Sequence, residues 1–163
     1  MKLWRHISRF KRSESGVAVF EFVMVMPMTI LLFAVLMDFG RIYWGVQSIT
    51  AGVRDATRYL ARVAPVDICI TGGSLSGYET TLEGFIENDI RAASVLPGGF
   101  TLTDISADYT CITGTFRTSP AAVATVTADV DIDFMLGNWF GVVADELGSF
   151  STSISDASRV FGQ

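Results

Sequence analysis

Val17-Ala18-Val19-Phe20-Glu21-Phe22-Val23-Met24-Val25-Met26-Pro27-Met28-Thr29-Ile30-Leu31-Leu32-Phe33-Ala34-Val35-Leu36-Met37 is the stretch on which the fold turns. It holds one charge, Glu21, and none from Phe22 to Met37. As a helix, 21 residues reach about 31 Å, enough for a bilayer core of about 30 Å. Half of the 163 residues are hydrophobic, and the surplus is concentrated here. The length leaves room for one membrane segment, 17–37, and one modest domain outside the membrane.

The flanks of this run carry opposite charge. Lys2, Arg5, Arg9, Lys11 and Arg12 precede it, against the single acid Glu14. Lys and Arg mark the flank that stays in the cytoplasm, so the N-terminus is expected inside and the rest outside. From Val17 onward seven basic residues, all Arg, face 16 acids, a net charge of −9. An acidic exported part argues against nucleic acid as a partner, which calls for a basic face. A secretory signal peptide also begins basic and turns apolar, but its apolar region is shorter and ends at small residues. Leu36-Met37-Asp38-Phe39-Gly40 offers no Ala-x-Ala pattern, so a retained anchor in contact with membrane lipid fits better.

The helical pattern continues past the membrane. Val46, Ile49, Val53, Ala56 and Leu60 follow the 3-4-3-4 spacing of an amphipathic helix, which predicts one helix from about Val17 to Ala64, with 38–64 as its amphipathic continuation. Pro65 stops it, and Pro27 should kink its membrane half. Residues 65–78 read as a Gly- and Ser-rich loop. A second helix is expected over 80–95, opened by a capping box at Thr80-x-x-Glu83 and buried through Leu82, Phe85, Ile86, Ile90 and Ala93. Two short strands fit within 100–117. Residues 122–134 alternate apolar and polar as a half-buried strand, 137–148 read as a loop or short helix, and a last strand fits 150–155. The expected class is α+β, with a helix packed on a small antiparallel sheet within a domain of residues 65–163.

Cys69 and Cys111 both fall in the exported part, where a disulfide is the expected fate of such a pair. It would close a loop of about 40 residues, worth about 4 kcal/mol in the chain-entropy account. The alternative is two buried thiols, which would follow from the opposite topology.

Enzymatic chemistry finds little support. Beyond residue 16 there is no His and no Lys, so Ser-His, Cys-His and Ser-Lys pairs are not available there. No phosphate loop, His/Cys metal pattern or nucleophile elbow is present, and no cofactor or metal is expected. Asp129, Asp131 and Asp133 open like a calcium loop, but Phe134 stands at position 6 and Phe140 at position 12. They read as the outer face of a strand. Arg54, Arg58 and Arg62 recur every four residues; a solvated helix face is the simpler reading, and a stripe for an acidic partner or lipid head groups the other.

Glu14-Ser15-Gly16-Val17-Ala18-Val19-Phe20-Glu21-Phe22 is the most informative motif. A glycine stands at the junction of basic leader and apolar helix, with a carboxylate five residues later. Near the centre of a membrane helix a charge costs about 2.5–3.5 kcal/mol, and less near an end, where Glu21 can snorkel. Together with Pro27 and Asp38-Phe39-Gly40-Arg41, the motif resembles the N-terminus of type IV prepilins, and more closely the TadE-like family of pseudopilins, over residues 14–60. The resemblance implies removal of leader 1–16 by a prepilin peptidase between Gly16 and Val17. It also implies a pairing of Glu21 with the new N-terminal amine of a neighbouring subunit. A structural role follows from it: minor pilin in assembly of a Tad/Flp-type pilus, with other pseudopilins or pilins as partners. The rival expectation is an uncleaved inner-membrane anchor carrying a small periplasmic binding or adhesion domain.

Overall fold

A computed structural model describes residues 15–88, 94, 96–135, 137 and 148–162. The basic leader before Ser15, the expected core residues Ile90 and Ala93, and most of the 137–148 segment lie outside them. The chain divides into two units, Met1–Met37 and Asp38–Gln163. Helix α1, Ser15–Val63, contributes to both.

In the first unit α1 is apolar on every side, with no large polar face to turn to water. Nothing in its most apolar window is buried. Phe20, Phe22, Met28 and Phe33 are all more than 60% exposed. A core helix of a soluble protein would hide such a surface, so this segment fits a single-pass membrane anchor.

In the second unit α1 is amphipathic, and its stripe is buried. Ile49, Val53, Ala56, Leu60 and Ala64 have no exposed surface and share one core with Ala124, Val126, Ala128, Val130 and Ile132. Thr57 joins them, its hydroxyl donating to the Val53 carbonyl at 2.7 Å, so burial leaves no polar atom unpaired there.

The sheet is an antiparallel meander in the order β1-β2-β3, with β1 Phe100–Ile112, β2 Ala121–Asp133 and β3 Ser149–Arg159. Alternation in β2 places Ala122 to Ile132 inward at every second residue. The fold is therefore α+β, a long helix, a shorter helix and a three-stranded sheet.

Within 100–117 the chain forms one long strand, Phe100–Ile112, rather than two short ones. Phe100 and Leu102 face the core, then Ile105, Ala107 and Tyr109 do so one residue out of phase. A bulge between Leu102 and Asp104 absorbs the slip, and Thr103 donates to the Asp129 carbonyl at 3.0 Å. Read by period alone, such a slip looks like a break. β3 also extends beyond 150–155, pairing as far as Val123 with Arg159. Of its apolar residues Ile154 packs on the core and Phe150 lies 5.7 Å from the Phe134 ring, too few for sequence alternation to report the strand.

The Gly- and Ser-rich segment 65–78 is more ordered than a plain loop. It contains helix α2, Ile68–Thr71, and a 3-10 turn, Ser76–Tyr78, each next to a buried anchor, Ile68 and Leu75. Gly72 and Gly73 follow α2 at positive φ, where other residues are strained. Helix α3 is Glu79–Glu87 and uses no capping box. The 3-10 turn runs straight into it, with the Glu79 amide bonded to the Ser76 carbonyl, so Thr80 lies inside the first turn rather than at its cap. α3 ends early because Asn88 turns extended and bridges to Ser94. Leu82 and Ile86 are buried as expected, whereas Phe85 is 41% exposed and lies 5.0 Å from the Tyr59 ring.

α3 crosses α1 at Gly52, where a Cβ would lie 2.8 Å from the Ile86 Cα. The Gly84 position on α3 opens into free space. Gly52→Ala should therefore destabilise the unit by about 1–3 kcal/mol, and Gly84→Ala stabilise it by about 0.5–1 kcal/mol. Denaturant unfolding of the detergent-solubilised chain checks both signs.

Candidate assembly surfaces of the long helix

Gly16, Val17, Glu21 and Pro27 all lie on α1. Gly16 has open space where a side chain would stand, and Val17 is 59% exposed. Glu21 is exposed and pairs with no cation among the described residues. Pro27 remains inside the helix, where it cannot donate to the carbonyl of residue 23.

The first charge after the apolar run is buried. Asp38 is 6% exposed, and one of its carboxylate oxygens accepts from Arg41 Nη2 at 2.8 Å and Nε at 3.0 Å. Its other oxygen accepts the Met135 amide at 3.1 Å. Arg41 also donates to the carbonyls of Gly98 and Asp133, and its guanidinium lies 5.7 Å from the Phe100 ring centroid. Gly99 sits at φ +85°, and a Cβ there would press on Arg41 Nη1. The ion pair thus ties the start of the second unit to the turn before β1 and to the end of β2. Sequence reasoning quoted Asp38 and Arg41 only as part of a family pattern. Their signal was available, since an acid and an Arg one helical turn apart directly follow sixteen uncharged residues.

Cys69 and Cys111 form a disulfide, with Cα atoms 5.8 Å apart, joining α2 to the end of β1. It clips the segment leaving α1 to a strand 42 residues later.

Two charged surfaces complete the second unit. Arg54, Arg58 and Arg62 lie on the exposed face of α1, with Arg58 3.6 Å from Asp55. Asp129, Asp131 and Asp133 line the outer face of β2; Asp131 accepts from the Ser151 hydroxyl at 2.6 Å and Asp129 from that of Ser153. Among the described residues no group of three His, Cys, Asp or Glu is placed to hold a metal ion. An open cleft of about 200 Å³ between α3 and β1 is lined by Glu79, Thr80, Glu83 and residues 102–105, with no base or nucleophile stronger than a carboxylate. The surfaces on this chain are suited to packing and pairing.

The TadE-like protein family model matches residues 16–58. That segment is TadE-like. The match starts at Gly16 and takes in Glu21, Pro27, the Asp38–Arg41 pair and most of the buried stripe of α1. No curated protein and no solved structure matches the chain.

Arg41→Ala should destabilise the second unit by about 3–5 kcal/mol, because it strands a buried carboxylate, and Asp38→Asn should cost less. Denaturant unfolding of the detergent-solubilised chain, together with hydrogen exchange at the Met135 amide, reports both. Reduction of the disulfide, or Cys69→Ser with Cys111→Ser, should cost about 2–5 kcal/mol, read as a lower unfolding midpoint without loss of the helix signal in the membrane segment.

Proposed function

We propose that this chain is a minor pilin-like subunit of a Tad-type pilus assembly system, with a structural rather than catalytic role. The observation that carries the proposal is the TadE-like match beginning at Gly16 on an apolar helix that no part of the described fold covers. An uncovered membrane helix can leave lipid for other helices of its own kind, and that exchange is what assembly of a pilus requires.

In this reading the basic leader stays cytoplasmic, the helix spans the bacterial inner membrane and the C-terminal unit is periplasmic. The charge asymmetry around 17–37 supports that orientation, and so does the Cys69–Cys111 disulfide, which suits an oxidising compartment. A prepilin peptidase cuts between Gly16 and Val17. Glu21 then lies four residues from a new amine, and a neighbouring subunit's amine neutralises it in the apolar bundle. A carboxylate in such surroundings is stable only with a partner. Pro27 gives the membrane half its bend, and the second unit selects the partner pseudopilins or pilins.

N-terminal sequencing of the chain from membranes should begin at Val17. An intact Met1 or Lys2 in cells with an active prepilin peptidase would overturn processing and favour an uncleaved anchor with a small binding or adhesion domain. Gly16→Asp should retain the leader. Glu21→Ala should insert and be processed yet abolish piliation, scored by electron microscopy.

A further inference from the structure

The second unit has two outer surfaces of opposite charge, and they lie back to back. The buried stripe of α1 packs on the inner face of the sheet. Arg54, Arg58 and Arg62 stand on the side of α1 away from that core. Asp129, Asp131 and Asp133 point the other way, out of the sheet. A helix layer and a sheet layer thus separate the two rows, so no chain can pair its own arginines with its own aspartates.

The rows match in pitch. Residues four apart on a helix repeat every 6 Å or so, and residues two apart on a strand about every 6.7 Å. Three cations and three carboxylates therefore run alongside each other with a mismatch of under about 1 Å per step.

Among the described residues both rows also lack adequate partners. The Arg58–Asp55 pair is two-thirds exposed at each end and is screened by water. On the sheet, Asp129 stands directly across from Asp104, a like-charge pair that disfavours folding unless something positive covers it. Ser151 and Ser153 each occupy one carboxylate oxygen of Asp131 and Asp129, fixing the row, and among the described residues the second oxygen of each has no partner.

We propose that these surfaces are the two halves of a head-to-tail contact between copies of this chain. The Arg54/Arg58/Arg62 stripe of one copy pairs with the Asp129/Asp131/Asp133 row of the next. Because the two patches are different and face opposite ways, the contact leaves a free patch on each side and adds copies in series. The inference goes beyond the pilin proposal and does not require leader removal, since both rows lie beyond residue 37.

The test uses full-length chains carrying two different C-terminal tags, co-expressed and co-purified from membranes in mild detergent. Wild-type copies should co-purify, less so as salt rises from 0.05 to 0.5 M, through roughly a threefold shorter screening length. Arg54→Glu, Arg58→Glu and Arg62→Glu together should lower co-purification about tenfold or more, and Asp129→Arg, Asp131→Arg and Asp133→Arg together should do the same. Co-expressing the first variant with the second restores opposite charge at both contacts, and recovery should approach the wild-type level. That recovery also establishes that each variant folds. Unchanged self-association of either variant would overturn the proposal. So would loss without recovery in the mixture, which would assign the stripe to some other acidic protein.

Discussion

Ile49, Val53, Ala56 and Leu60, with Ala64 just past its end, leave one face of α1 and enter the same core as the inward residues of β2, and every other element is placed by that seam. The sheet side is lined with small residues, Ala122, Ala124 and Ala128, between Val126, Val130 and Ile132. Small side chains let a helix lie close to a strand, and the valines and isoleucine fill the space beside it. Close approach recurs at Gly52, where α3 meets α1, and at Gly45, where the Phe100 ring takes the place of a side chain. Without the stripe the sheet would have one bare face, and three strands alone bury too little to be stable.

The same helix has to satisfy two solvents. Up to Met37 its surface is apolar throughout; from Asp38 it turns amphipathic. A charge at that junction is costly if left bare near lipid, and Asp38 avoids the cost by being buried in protein with Arg41 and the Met135 amide. Both carboxylate oxygens and the guanidinium are used, so the pair acts as a fastening between α1, the turn at Gly98 and Gly99, and the end of β2. The disulfide fastens the far end of α1 in a comparable way, through α2 to β1. These two ties and the seam between them account for how a short sheet is held on a long helix.

Much of this was legible before any coordinates. The membrane-length apolar run, the continuous helix, the buried stripe, the β2 alternation and the TadE-like motif all depend on residues close in sequence or on strict periodicity, where spacing maps directly onto a face. Failures cluster where periodicity is interrupted. The Thr103 bulge made one strand read as two, and Ser-rich β3 lacked the apolar alternation that marks a strand. Thr80 and Glu83 matched a capping pattern, yet the preceding 3-10 turn runs straight into a helix that begins at Glu79, so Thr80 lies inside its first turn.

What the sequence determined by itself is the division of labour along the chain: a basic N-terminal stretch, a membrane-length apolar helix with Glu21 near its start, and an acidic, cysteine-paired remainder. Hydrophobic length and charge asymmetry act locally, so they can be read locally. Only the tertiary structure decided the partners of Asp38 and Arg41, the crossing at Gly52, and the placement of the Arg and Asp rows on opposite outer surfaces. Each depends on residues far apart in sequence, Arg41 and Asp133 being 92 positions apart, and no spacing rule reaches that far. The two charged rows show the difference most clearly. Each is visible as a repeat in the sequence, but which way each one faces is set by the seam between helix and sheet.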